Sequence, residues 1–290
     1  MQYDVVIVDS SPTVAGILKS KEVGGVTSLG DEVFVLRLHN EERVEVYHAK
    51  SFTFQRHIPV PGLDKYSWGL VACPKNNCLY ASDRNNSNIH RVDLSRRPGL
   101  IDAVMNWAVA RRPLDLSVNS EHNLLVVSDG ERTLQIFTTY GTLLRNIQLL
   151  ADIERPRHAV QLPTGQFLVS HSGSLHRVCL VGADGAVVRS FGGQKGPQLS
   201  QMNCPACFAV DREGRVLVAD WFNKRLLVID RSLSSAHEMS LGLCIDGGLQ
   251  HPHSLWYDQS SRRLYIGEVN GGRVIIIDNL KDFRASQVKA

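Results

Sequence analysis

Three groups of residues in this chain have the types and spacings that chemistry needs. The first is cysteine. Cys204-x-x-Cys207 has the spacing of a dithiol or of half a zinc site, with Cys73 and Cys78 as the candidate other half. The second is histidine: His253 within Pro252-His253-Ser254, His158 after Arg157, and His39 and His171 at the ends of apolar runs. Neutral imidazole is a common zinc ligand, so these are the positions to weigh for a metal. The third is a set of cations interleaved with aromatics: Tyr66, Trp68, Arg84, Arg111, Arg112, Arg155, Arg157, Trp221, Phe222 and Lys224. Cations beside stacking rings suit single-stranded nucleic acid, because phosphates and bases are met together. The same rings and arginines would be hot spots in a protein interface.

These residues are far apart in the chain, so each reading depends on elements that bring them together. The stretch Cys204 to Ile229 shows what those elements are. Phe208-Ala209-Val210, Val216-Leu217-Val218-Ala219 and Leu226-Leu227-Val228-Ile229 are short β-branched and apolar strands. The turns Asp211-Arg212-Glu213-Gly214 and Asp220-Trp221-Phe222-Asn223-Lys224 separate them. Two or three strands alone bury too little to be stable, so this unit must stack on others. The pattern returns around Pro252 to Ile277, Arg157 to Val178, Pro113 to Phe137 and Ser67 to Val92, with a degenerate copy from Gly24 to Tyr47.

The second strands end at His39, Asp83, Asp129, His171, Asp220 and Glu268, a step of about 46 residues. Each copy leaves room for an outer strand, as in Phe52 to Val60, Thr142 to Gln148 or Ala186 to Ser190. The expected fold is all-β: a six-bladed β-propeller of four-stranded antiparallel blades, which leaves only short protected edges. It forms a single domain with blades over about 24–63, 66–110, 112–150, 155–193, 204–241 and 251–283. The last blade lacks an outer strand after Ile277, so residues 1–10, through Tyr3 to Val8, are expected to close the ring. Ser10 to Glu22 is read as a connector.

The run Pro-x-x-Φ-Ala-Val-Asp-x-x-Gly-x-Val-x-Val-Ala-Asp-x-x-Asn-x-Arg-Φ, with Φ apolar, resembles the NHL repeat. Pro205 to Leu226 fits it closely, Pro252 to Val274 well, and the copies around Asp83, Asp129 and His171 in part. The resemblance implies the propeller fold. NHL propellers of tripartite-motif proteins bind single-stranded RNA or protein segments on one face, whereas no RING, B-box or coiled coil occurs in this sequence. Peptidylglycine amidating lyase is similar in fold and holds zinc with inner-strand histidines, one in a Pro-His-Ser context like that of His253. The equivalent positions Ser67, Leu114, Arg157 and Ala206 carry no histidine, and His158 lies one residue off that ring. Propeller hydrolases of the gluconolactonase type use Glu, Asn and Asp around a calcium, for which Asp115 and Glu268 are the inward candidates.

Composition narrows the function further. The 290 residues carry a net charge of +3 and a charged fraction of 21%, as globular proteins do. No apolar run reaches the length of a membrane span. Six cysteines and an acid-containing N-terminus with no basic region point to reduced thiols in the cytoplasm. There is no Gly-x-Ser-x-Gly elbow, and Gly192-Gly193-Gln194-Lys195-Gly196 precedes no helix, so it is a loop between blades and not a phosphate cradle.

The expectation is therefore a non-catalytic recognition module, monomeric as an isolated domain and without cofactor or resident metal. It binds single-stranded RNA or a protein segment through Tyr66, Trp68, Arg84, Arg111, Arg112, Arg155, Arg157, His158, Trp221, Phe222, Lys224 and His253. The alternative is a propeller enzyme with a metal in its central channel.

Overall fold

The computed structural model describes residues 12–19, 21–39, 42–96, 103–150, 152–239, 241, 245–278 and 280. Every described element apart from short 3-10 turns is a strand, as the alternation of apolar and polar residues requires. The first is β1 (Thr13–Lys19). Blade one then comprises β2 (Val23–Leu29), β3 (Glu32–Arg37), β4 (Arg43–His48) and β5 (Phe54–Pro59). Blade two comprises β6 (Leu70–Cys73), β7 (Cys78–Asp83), β8 (Asn88–Asp93) and β9 (Val104–Ala108). Blade three comprises β10 (Pro113–Val118), β11 (Leu124–Ser128), β12 (Thr133–Phe137) and β13 (Leu143–Gln148). Blade four comprises β14 (Pro156–Gln161), β15 (Phe167–Ser172), β16 (His176–Val181) and β17 (Val187–Gly193). Blade five comprises β18 (Pro205–Val210), β19 (Val216–Asp220), β20 (Arg225–Ile229) and β21 (Ala236–Glu238). Blade six comprises β22 (Pro252–Asp258), β23 (Arg263–Glu268) and β24 (Arg273–Asp278), with β1 as its outer strand.

Each blade is antiparallel, and its first strand lies innermost. Successive inner strands pack side by side, and β22 returns to β2, which closes a six-bladed ring. The core lies in the seams between blades. Leu217, Ala219, Leu226 and Val228 of blade five pack on Leu255, Leu264, Ile266 and Ile275 of blade six. Each fully buried Val, Leu or Ile contributes about 1.5–3 kcal/mol relative to exposure. Where blades one and two approach the axis, a Cβ on Gly25 would lie 2.6 Å from Leu70 Cβ. Only glycine fits there, which accounts for the small residue at this position of the first repeat copy.

The closure differs from the expectation. Tyr3 to Val8 lies outside the described residues, and the outer position of blade six is filled by β1, within the stretch read as a connector. Its register runs from Thr13↔Asp278 to Lys19↔Arg273 with a bulge between Val14 and Gly16. Gly16 and the polar flanks Ser10-Ser11-Pro12 and Lys19-Ser20-Lys21 hide this strand in the sequence. Its apolar face is nonetheless used: Leu18 is buried with Val274 and Ile276. A Cβ on Gly16 would strike the ring of Phe52 at 2.4 Å.

The acid of the repeat is a structural anchor. Asp220 Oδ1 accepts the Asn203 N–H at 2.6 Å, while Oδ2 accepts from Asn223 at 2.7 Å and Arg225 Nε at 2.8 Å. Glu268 does the same for the Gln250 N–H at 2.6 Å and Arg273 Nε at 2.6 Å. Asp83 accepts from Asn86 N–H at 3.1 Å and lies 3.2 Å from His90 Nε2. His171 stands in this place in blade four and accepts from Arg177 Nε at 3.2 Å. In blades five and six the anchor fixes the loop entering the inner strand, and so fixes one rim of the channel.

Candidate functional site

Loops that lead into the inner strands share that rim with the turns that follow the second strands. Between blades three, four and five they enclose a cavity of about 910 Å³. Its cationic lining comprises Arg111, Arg112, Arg155, Arg157 and Lys195, with Trp221 and Phe222 on one wall. Asp129 is the carboxylate among the lining residues, and it is paired with Arg84. Arg111 is 3.1 Å from Glu131. Among the described residues, no acid lies within ion-pair distance of Arg112, Arg155 or Lys195.

The rings are organised by the 3-10 turn Trp221–Asn223, which follows Asp220 and ends at Lys224 with φ of 54°. The turn stacks Trp221 on Phe222, with centroids 4.6 Å apart and planes 12° from parallel. Phe222 is exposed, and Trp221 turns inward beneath it. Arg157 Cζ lies 5.8 Å from the Trp221 ring. Trp68 from blade two lies 4.5 Å from His253, Trp221 lies 5.0 Å from it, and the two indoles are 6.4 Å from each other. Trp68, Arg157, Trp221 and His253 thus come from four blades and form a plug across the channel. Arg157 Nε, Trp221 Nε1 and His253 Nδ1 are buried there with no hydrogen-bond partner among the described residues. Burial and the neighbouring Arg157 lower the His253 pKa to about 3, so its ring is neutral.

Below the plug, Asp115, His158 and Cys207 converge from three blades at what we term the neck of the channel. His158 Nδ1 lies 2.8 Å from Asp115 Oδ2. Burial disfavours the imidazolium, but the acidic groups Cys207 and Asp115 outweigh it and raise the His158 pKa well above its ordinary value. Cys207 Sγ otherwise has weak contacts with carbonyl oxygens, 3.7 Å to Phe208 and 3.8 Å to Leu255. A second cavity of about 370 Å³ begins at this neck. Its lining includes Pro163, Asp211 and Gln259, at the turns after the inner strands, so it faces the opposite rim.

The residues singled out in the sequence divide among these layers. Arg111, Arg112, Arg155, Arg157, Trp221 and Phe222 line the mouth cavity. Trp68 and His253 belong to the plug, and His253 is only 6% exposed. His158, at 5% exposed, faces the neck and not the rim. Tyr66 stands apart, edge-on to His39 at 4.9 Å and beneath Lys65. Arg84 is held by Asp129, and Lys224 is exposed beside the cavity. Glu268 does not reach the channel, because its carboxylate is consumed by Gln250 and Arg273. The four-cysteine arrangement does not form either. Cys73 and Cys78 face each other across β6 and β7 in a seam between blades two and three, and Cys204 sits at the mouth.

The neck residues share a signal in the sequence. Asp115, His158, Cys207 and Ser254 are each the second residue after the proline that opens an inner strand. The register shifts at that point in all four strands. A bulge there re-aims the side chain into the channel, as bulges do beside functional sites. Alignment on the residue directly after proline, where His253 lies, selects the plug and misses the neck.

No family model matches the sequence, and the search of curated proteins finds no relative. Solved structures do match the fold. A catalytically inactive virginiamycin B lyase from Staphylococcus aureus, solved with quinupristin, is 12% identical with a TM-score of 0.63, covering 90% of this chain and 82% of that one. The Cps50 (Swd1) propeller domain of Myceliophteria thermophila is also 12% identical at a TM-score of 0.63, over 92% of this chain and 99% of that one. The WD40 propeller of Doa1 is 13% identical at 0.62, over 93% and 98%. These likenesses show the propeller fold, and the NHL resemblance gains no matching family from them. They correct one expectation: a fold shared with a lyase gives no ground for calling the chain non-catalytic. No helix among the described residues is long and apolar enough to cross a membrane.

Proposed function

We propose that the mouth of this propeller binds single-stranded RNA. The observation that carries the reading is the 910 Å³ cavity, where Arg112, Arg155 and Lys195 have no ion-pair partner among the described residues and the Trp221–Phe222 stack forms the wall. Unpaired cations attract phosphates, and exposed ring faces accept bases of any identity. The buried Arg157 Nε and Trp221 Nε1 gain from such a ligand, because an unsatisfied buried donor costs about 1–3 kcal/mol. Free buried thiols suit a cytoplasmic setting for this activity.

The test is binding of labelled random-sequence RNA to the purified chain over a salt series. Neutralising four phosphates of a single strand gives a log–log slope of about −3, a loss of roughly fiftyfold between about 50 and about 200 mM salt. Charge reversal at Arg112 and Arg155 should abolish binding. Salt-insensitive binding, or binding that survives the reversal, defeats the RNA reading and leaves a protein segment as the occupant of this face.

A further inference from the structure

The neck of the channel carries a donor set that the mouth does not use. Asp115 on β10, His158 on β14 and Cys207 on β18 come from three successive blades and occupy one equivalent position in their strands. One ligand-type atom from each, a carboxylate oxygen, an imidazole nitrogen and a sulfur, lies within 4.8 Å of the other two. His158 and Cys207 are 5% and 4% exposed, so the group is withdrawn from bulk water. His158 Nδ1 and Asp115 Oδ2 are 2.8 Å apart, so an imidazole nitrogen and a carboxylate oxygen already share one side of the group.

We infer that Asp115, His158 and Cys207 form a three-ligand site for a borderline-soft divalent ion of the zinc class, open toward the lower cavity. Zinc takes sulfur at about 2.3 Å and nitrogen or oxygen at about 2.0–2.2 Å, so ligands of one tetrahedral ion stand roughly 3–4 Å apart, a spacing that donors all within 4.8 Å of one another reach by side-chain shifts of about 1 Å. A thiolate with imidazole and one carboxylate suits Zn²⁺ or Co²⁺, whereas Mg²⁺ and Ca²⁺ select all-oxygen sets. The fourth equivalent position, Ser254, is already engaged, because its Oγ accepts the Val26 N–H at 3.1 Å. Three protein ligands and a vacant fourth position form the pattern of an ion that meets a small molecule. That molecule would arrive through the 370 Å³ cavity, past Leu116, Val160, Phe208 and Trp256, since Trp68 and Trp221 cover the other end. The ligand class is therefore a small, largely apolar molecule with one group that can coordinate the metal.

The test uses the full chain, stripped with a chelator and titrated with Co²⁺ alone. The expected result is one cobalt per chain, with a near-ultraviolet thiolate-to-cobalt band that Zn²⁺ bleaches. Cys207→Ser should lose the band, and Cys204→Ser should keep it. Asp115→Asn should keep the band while weakening binding by at least the ~10-fold that even outer partners of a metal cost. Circular dichroism confirms that each variant is folded; the direct titration of the unaltered chain decides the matter if one is not. Absence of a band from folded chain at stoichiometric cobalt overturns the site, as does a band that persists in Cys207→Ser.

Discussion

Arg225 Nε donates to Asp220 Oδ2 at 2.8 Å, with the acid fully buried and the arginine 8% exposed. The other guanidinium nitrogens reach the carbonyls of Pro197, Gln198 and Gln201 at 2.6, 2.8 and 2.9 Å. One buried pair thus ties the loop that carries Lys195 to the turn that carries Trp221. Asp220→Ala leaves Arg225 charged and unpaired, and should cost about 3–5 kcal/mol in chemical denaturation. Arg84→Ala breaks a pair that is one-third exposed and should cost about 0–1 kcal/mol. Equal losses in the two variants would contradict the anchoring role.

The ring is closed by β1. Leu18→Ala removes a buried side chain from the seam with Val274 and Ile276, and should destabilise the chain by about 2–5 kcal/mol. Removal of residues 1–19 should lower the melting temperature further, because it also exposes the edge of β24. A melt unchanged by both alterations would show that the seam does not depend on β1.

Trp221 seals the plug and supports the exposed ring of Phe222 stacked on it. Trp221→Ala removes the support that holds the Phe222 ring face outward, and should weaken RNA binding by about 1–3 kcal/mol, the worth of one stacked base. It should also let water reach His253. The His253 pKa, about 3 beneath its aromatic cover, should then rise toward its ordinary value in an NMR pH titration. A titration that does not move means that Trp68 and the blades alone keep the ring dry.

Acid should unfold the chain partly through its buried histidines. The pKa of His253 is lowered to about 3, and that of His171 to about 4, by burial and then by the neighbouring arginine. A histidine with a depressed folded-state pKa binds fewer protons folded than unfolded. Its contribution is complete above about pH 6.5 and is lost as pH falls toward 3–4. His158 has the opposite sign, so its contribution is present at low pH and is lost as pH rises past its raised value. His171→Gln should therefore flatten the fall of melting temperature below pH 6.5, and an unchanged slope would remove His171 from this account.

The strand pattern could be read locally because alternation and turn residues act over a few positions. The meander at Phe208 to Ile229, the repeat acid and the outer strands near Phe54 and Leu143 all follow from it. The identity of the closing strand could not be read this way. Thr13 to Lys19 becomes a strand only when β24 offers it a ladder and the seam offers Leu18 a place. The cationic mouth was legible as residue types, since Arg112, Arg155, Trp221 and Phe222 sit at repeat boundaries that a ring must gather. What the sequence determined by itself was the repeat, and with it the number of blades and the rim on which their loops meet. Only the tertiary structure decided which way each inner-strand side chain points, because a bulge shifts the alternation by one residue. That shift sends His253 into the plug and brings Asp115, His158 and Cys207 together at the neck, three residues with no local reason to meet.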